Sequence, residues 1–322
     1  MPPAPLPPLR VLKLPLTSYS HASRLQSILF NLHLLYKSSL SNNNNNNTKP
    51  AIPQPPPYLI TTSFRPVYTF GRREASKPPP KPLLNLLSQK RASIAYTPRG
   101  GQVTFHGPGQ IVTYPILDLK RHNLSPRCYI RVLENSVIAT LKEVGVEGFT
   151  TEEAGVWVRG DRKVASVGVN LRRWVCSHGV AVNVDTDLEW FGRIVACGLE
   201  GVEMWSVRRE LEEKLKRLEE GGGRDDGDLG LVEMLGEVPE EGFRGKIEDG
   251  IISQIASGIG CQETEEITEE EVEDLGREYG LSGEDGVEWL KFSDETGGYY
   301  RVKGDKIDLE DHHRSSQGSG GG

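Results

Sequence analysis

No run of about 18 apolar residues occurs anywhere in these 322 residues, and the mean hydropathy is −0.44, so a membrane-spanning helix is excluded. Cysteine is scarce. The four thiols, Cys128, Cys176, Cys197 and Cys261, form no CxxC pair and share no spacing with histidine that would hold zinc. This argues against a metal site and a disulfide framework, and predicts free thiols in a reducing compartment. Acidic residues are absent before Glu74, although Arg10, Lys13, Arg24, Lys37, Lys49, Arg65, Arg72 and Arg73 lie in that stretch. Also missing is any dense basic patch interleaved with aromatics, so no nucleic-acid partner is expected.

What is present is a division of charge. Residues 1–200 carry 24 Lys+Arg against 12 Asp+Glu, whereas residues 201–322 carry 14 against 33. The basic part suits an acidic protein partner through electrostatic steering. The acidic part reads as a solvated segment. An acid-free, basic, serine-containing N-terminal stretch has the composition of a mitochondrial targeting sequence. Residues 10–16 nevertheless alternate like a strand. Residues 18–38 place Tyr19, Ala22, Leu25, Ile28, Leu29, Leu32 and Leu35 at helical spacing, so little chain remains for a removable leader.

Strand patterns recur at 58–64, 67–72, 94–97, 102–106, 110–117, 155–159, 163–175 and 178–184, and a helical period covers 127–144. Gly160-Asp161-Arg162 has hairpin-turn chemistry. Residues 188–195 read as a short helix leading to Cys197. Asn42 to Asn47 with the prolines after it form a low-complexity loop at about 41–57. The charged, glycine-studded 210–230 segment predicts a disordered middle. Thr268 and Glu271 form a capping box for a helix at 268–279.

The densest cluster of unusual residues is the run Arg99-Gly100-Gly101-Gln102-Val103-Thr104-Phe105-His106-Gly107-Pro108-Gly109-Gln110. Two glycine turns flank a short strand, and glycine lets backbone approach a ligand closely. On composition alone this is equally a plain strand between turns. Three further segments follow it: KVASVGVNLRRW from Lys163, His178-Gly179-Val180-Ala181-Val182-Asn183, and Ala196-Cys197-Gly198-Leu199. In this order, with Lys163 thirty-four positions before Cys197, they resemble the octanoyl-[acyl carrier protein]:protein octanoyltransferases, or lipoyl(octanoyl) transferases, over residues 9–207.

The resemblance implies an α+β fold of the biotin/lipoate protein ligase-like type, with a larger mixed β-sheet, a smaller antiparallel sheet and surrounding helices. It implies Cys197 as an acyl-thioester nucleophile, and Lys163 as the group that lowers its pKa and shuttles protons. Substrate contacts would come from Arg99, Gly100, Gly101, Gln102, Val103, Thr104, Phe105 and His106, from Ser166, Val167 and Gly168, and from Gly179, Val180 and Ala181. Gly168, Gly179 and Ala181 would leave room for a thin aliphatic chain, and backbone N–H groups near the glycines would polarise the thioester carbonyl. His106 either bonds near that carbonyl or pins the HGPG turn.

The implied donor is octanoyl-acyl carrier protein. The implied acceptors are lipoyl domains of 2-oxoacid dehydrogenase subunits and the glycine-cleavage carrier protein, in the mitochondrial matrix, with no metal and no cofactor. Arg172 and Arg173 either meet the acidic carrier or form a solvated face. Trp205 departs from the small hydroxyl residue usual in the family, and is expected to shorten or reshape the acyl pocket. The remaining chain divides into an acidic, Gly-rich, partly disordered insert (208–250), a helical completion of the domain (251–304) and a disordered tail (305–322). Two other readings compete: an ATP-dependent lipoate or biotin ligase, and a non-catalytic protein binding lipoyl domains or acyl carrier protein.

Overall fold

The computed structural model describes residues 5–43, 52–221, 240–281, 288–292 and 299–303. Its frame is an eight-stranded mixed sheet in the order β10-β8-β9-β6-β2-β1-β11, with β7 beside β8. These strands are β1 (Leu9–Lys13), β2 (Tyr58–Thr62), β6 (Gln110–Asp118), β7 (Gly155–Val158), β8 (Arg162–Arg172), β9 (Val175–Asn183), β10 (Glu203–Met204) and β11 (Thr264–Glu266). β1 pairs parallel with β2 and β11, and β10 parallel with β8; the pairs β2–β6, β6–β9, β9–β8 and β8–β7 are antiparallel.

A second sheet orders β13-β12-β4-β3-β5, from β3 (Val67–Phe70), β4 (Ser93–Tyr96), β5 (Thr104–His106), β12 (Glu288–Phe292) and β13 (Tyr299–Lys303). It is antiparallel except for the parallel pair β3–β4. The C-terminal part therefore completes the fold with strands as well as helices.

Both faces of the main sheet are buried, which is why its strands read as apolar runs more than as strict alternations. On one face lie α3 (Pro126–Glu143) and α5 (Glu240–Gly258), whose Tyr129, Leu133, Val137, Phe243, Ile247, Ile251 and Ile255 pack on Val164, Cys176 and Val182. On the other lies α1 (Tyr19–Asn43), which buries the periodic residues from Tyr19 to Leu32 and packs on α6 (Glu269–Glu278). Leu35, by contrast, is exposed. α6 starts with the expected capping box: Thr268 Oγ1 accepts from Glu271 N–H, and the Glu271 carboxylate accepts from Thr268 N–H. α2 (Lys81–Ser88) covers the second sheet through Leu83 and Leu86.

Two features depart from the sequence expectation. The single strand predicted at 163–175 is cut at Arg173-Trp174, where a two-residue turn with φ of 53° and 70° joins β8 to β9. Such a turn is usually built from Asn-Gly, because few side chains tolerate positive φ at both positions. Here tertiary contacts hold it: Arg173 donates to Ser38 Oγ (2.8 Å) and Lys37 O (3.2 Å), and Lys120 Nζ lies 5.1 Å from the Trp174 ring. Arg173 is thus tied to α1 while remaining exposed.

The second departure is that the chain does not leave the domain at 208. Helix α4 (Val207–Gly221) buries Val207 and Leu211 in the main core, and Arg159 bonds Glu210 and Glu213 on it. Its acidic composition conceals one apolar edge. The rest of the expected insert up to 239, the Asn tract from 44 and the expected tail at 305–322 lie outside the described residues. Among those residues no helix is long and apolar enough to cross a membrane.

Candidate active site

The loop 99–102 lies across β8 as a roof. Gly100 N–H donates to Val169 O at 2.9 Å. A Cβ on Gly168 would stand 3.3 Å from Arg99 Cδ and 3.4 Å from Gly100 O. On Gly179 it would stand 2.2 Å from Thr113 O of β6. These glycines therefore admit neighbouring backbone and do not themselves open space for an acyl chain. Beneath the roof is a cavity of about 260 Å³.

Every substrate-contact residue expected from the sequence lines this cavity except Val103 and Phe105. Strand alternation explains the split: Thr104 and His106 face the cavity, whereas Val103 and Phe105 turn into the second core. Phe105 stacks on Trp190 with centroids 5.1 Å apart. Val103 contributes only its carbonyl, which accepts from Cys197 N–H at 2.7 Å.

Arg99 is 7% exposed, and its guanidinium donates to Thr69 O and Oγ1, Gly100 O and Gln102 O. It is a buried cation that clamps the roof, with no ion pair among the described residues; burial lowers its pKa.

Cys197 sits in the tight turn Ala196–Gly198 with φ 58° and ψ 9°, and Gly198 follows at φ 72°. Two successive left-handed residues are uncommon for a chain with a Cβ, and such strain concentrates at functional positions. A Cβ on Gly198 would meet only the Gln102 carboxamide, the movable end of a side chain, so it is the positive φ that calls for glycine there. Cys197 Sγ lies 3.6 Å from Ser166 Oγ and 4.0 Å from Thr104 Oγ1. The other thiols do not line the cavity: Cys128 is exposed, Cys261 is buried, and burial pushes Cys176 up to about 12.

Lys163 is only 2% exposed and lines the same cavity. Its Nζ donates to Ala154 O at 2.7 Å and lies 5.1 Å from the Trp157 ring. Burial lowers its pKa, and attraction to Cys197 opposes that shift. Sequence spacing had no means of bringing these two side chains together. The sheet does so, by running β8 past the turn that holds Cys197.

His106 is buried with its pKa lowered to about 4 by desolvation, so it is neutral near pH 7. The Gln110 amide donates to Asn183 Oδ1 (2.9 Å) and Phe105 O (3.3 Å), leaving its oxygen to accept from His106 Nδ1 at 2.7 Å. That network assigns the tautomer with Nε2 unprotonated. His106 thus pins the HGPG turn and cannot donate to a carbonyl oxygen through Nε2. His178, at φ 60°, is likewise neutral and sits behind the wall, its N–H on Gln26 Oε1 at 2.7 Å.

Arg73, Val112, Tyr114, Ile130, Glu153, Ala154, Val169 and Leu199 also line the cavity and were not singled out from sequence. Val112 enters the site as the register partner of Ala181, a pairing of distant strands that the sequence does not display. Ile130, on α3, carries no sequence signal either.

Trp205 does not line the cavity. It is fully buried in the main core, donates to Glu210 Oε2 at 3.0 Å, and lies between the Arg162 and Arg209 guanidinium groups at 4.0 and 3.9 Å. The expectation that it reshapes the acyl pocket is therefore withdrawn. Trp205→Phe is expected to lose about 2 kcal/mol of stability in thermal unfolding. The ranking of hexanoyl, octanoyl and decanoyl donors should stay unchanged, and an altered ranking would restore the abandoned view.

A model of the lipoyl protein ligase A/B catalytic domain matches residues 39–219. A probable octanoyltransferase of Schizosaccharomyces pombe is 45% identical over 199 residues, covering 61% of this chain and 83% of that protein. A mitochondrial octanoyl-[acyl-carrier-protein]:protein N-octanoyltransferase of Danio rerio is 42% identical over 157 residues, 49% of this chain and 69% of its own length. The structure of a putative lipoate protein ligase from T. acidophilum superposes with a TM-score of 0.52 at 14% identity, over 84% of this chain and 93% of that one, which shows the fold. On the family match and the two relatives together, this chain belongs to the octanoyltransferase family, on an α+β frame of the lipoate/biotin protein ligase type.

Proposed function

We propose that the protein carries an octanoyl group from acyl carrier protein to a lysine ε-amine of a lipoyl domain through a thioester on Cys197. The observation that carries this reading is the presence of Cys197 and the buried Lys163 on one small cavity with an apolar wall of Val112, Ile130, Val167, Val180 and Ala181.

Two steps through an acyl-enzyme divide a difficult transfer into easier ones. The Cys197 thiolate attacks the donor thioester, and the carbon–sulfur bond to the phosphopantetheine arm breaks. The Lys163 ammonium supplies the proton to the leaving thiolate. The acceptor amine then attacks the Cys197 thioester, Lys163 takes up its proton, and an amide forms as the Cys197 thiolate departs. A lysine whose charge is disfavoured by burial moves that proton more readily than a solvated one.

Donors for the tetrahedral oxyanion come from side chains in this reading. The N–H groups of Gly100, Cys197 and Gly198 are already given to Val169, Val103 and Val195 carbonyls. The Gln102 carboxamide and the Thr104 and Ser166 hydroxyls remain beside the sulfur. The acid-free basic N-terminal stretch and the mitochondrial relative from Danio rerio support action in mitochondria. Lipoyl domains of 2-oxoacid dehydrogenases and the glycine-cleavage carrier are the acceptors this chemistry suits.

Incubation with octanoyl-acyl carrier protein, without ATP or acceptor, is expected to add an octanoyl mass that hydroxylamine removes. A folded protein that stays unmodified until ATP and free octanoate are supplied would instead support the ligase reading.

A further inference from the structure

Lys163 reaches the cavity against the ordinary alternation of its strand. On β8, Ala165 is buried in the main core and Val167, Val169 and Leu171 pack against it, with Val167 and Val169 bordering the cavity as well; Ser166 takes the opposite face, its Oγ 3.6 Å from Cys197 Sγ, and Gly168 shares that face. Counting back by twos from Ala165 would send Lys163 into that core. Instead Val164 and Ala165 are both buried there, and Lys163 joins the face of Ser166. The register with β7 records the cause. Gly155 pairs with Ser166 and Val156 with Ala165, but Trp157 pairs with Lys163, leaving Val164 as one extra residue. A bulge of this kind inverts the facing of every residue beyond it.

The side chain still needs a path. A Cβ on Gly155 would stand 2.5 Å from Lys163 Cε and 3.0 Å from its Nζ. The lysine tail thus passes over the bare Cα of Gly155 to reach Ala154 O at 2.7 Å. Gly155 has φ 138°, and its N–H is fixed by the buried Glu134 Oε1 at 2.9 Å. We infer that Gly155, held by Glu134 opposite the Val164 bulge, is a positioning residue that delivers the Lys163 amine to Cys197. The inference rests on the octanoyl-transfer reading for its kinetic consequence, but the placement of Lys163 is independent of it.

The test uses the full chain, assayed for transfer from octanoyl-acyl carrier protein to a lipoyl domain. Gly155→Ala is expected to lower kcat about a hundredfold, as a displacement near 1 Å does, with KM for the donor within about twofold. Added to Lys163→Met it should cost less than about twofold more, because both changes remove the same group. Parental kcat in Gly155→Ala, or the same loss in both backgrounds, would overturn the inference.

A methyl at 155 also meets Ala165 O at 2.5 Å, so the variant can fail to fold for reasons of backbone alone. The pair Gly155→Ala/Lys163→Ala then decides. Recovered folding shows that the lysine tail was the obstacle; if the pair still fails to fold, Glu134→Ala, which frees the Gly155 N–H without adding an atom at 155, decides, and parental kcat there overturns the role. The pH dependence of thermal stability separates this inference from the functional reading. Burial lowers the Lys163 pKa, so replacing the lysine by methionine raises the midpoint most at low pH whether or not transfer is the activity. Full turnover in Lys163→Met would sink the proton-transfer reading, while the same pH-dependent gain from Lys163→Met in the parent and in the Gly155→Ala background would sink the positioning claim.

Discussion

Cys197→Ser is expected to lower octanoyl transfer by on the order of 10⁴-fold or more, the scale seen when a covalent nucleophile is removed. The change keeps shape and the capacity to bond Ser166 and Thr104, so the turn and the cavity persist. What disappears is the thiolate: a serine hydroxyl ionises far less readily and has no general base of matching strength beside it. The donor should still bind, so KM stays close to that of the parent while kcat collapses, and no octanoyl adduct should appear in the intact mass. Retained turnover, or an adduct on Cys128, Cys176 or Cys261, would remove Cys197 from the mechanism. An adduct on Cys176 is disfavoured on structural grounds, because burial pushes that thiol up to about 12 and it does not line the cavity.

Lys163→Met should lower kcat by about 10² to 10³, the contribution of a positioned proton-transfer group, while making the protein more stable at neutral pH. The two effects have one origin. Burial lowers the lysine pKa from its ordinary 10.5, so folding disfavours the ammonium. Below the folded pKa both states are charged, and the native state bears the full desolvation penalty. As pH rises through the folded pKa towards 10.5 the penalty fades, and above 10.5 it is absent. Methionine removes the penalty with a similar volume, so its gain in thermal midpoint should be largest below the folded pKa and should shrink as pH rises towards 10.5. A variant that is less stable at pH 7, or whose gain grows with pH, would show that the Ala154 and Trp157 contacts outweigh desolvation.

Much of the fold was legible because its elements announce themselves locally. The apolar spacing from Tyr19 to Leu32, the Thr268/Glu271 capping box and the glycine turn between β7 and β8 each have a short-range cause, though that turn begins at Arg159, one residue before the expected Gly160-Asp161-Arg162, and Arg162 already opens β8. The Arg173-Trp174 turn has none, since its left-handed residues are held by Ser38, Lys37 and Lys120, remote in sequence. Helix α4 was obscured for the converse reason: its composition is that of a solvated segment, while Val207, Leu211, the ion pairs of Arg159 and Arg162, and Trp205 on Glu210 hold it to the core.

By itself the sequence determined which residues are available for chemistry: a Cys-Gly step, a lysine at the start of a strand, and a glycine-rich roof with a histidine at its end. It also determined the family, because ordered motifs are a property of the chain. Only the tertiary structure decided which of them meet. Val103 and Phe105 left the site because a pleated strand sends alternate residues to opposite faces. Gly168 and Gly179 changed their meaning because what a missing Cβ makes room for depends on a neighbour remote in the chain. Trp205 moved from the pocket to the core, and Lys163, expected in the site, reaches it through one extra residue in β8. Spacing along a chain carries residue identity and period, whereas facing depends on register, and register is set by strand pairing between distant segments.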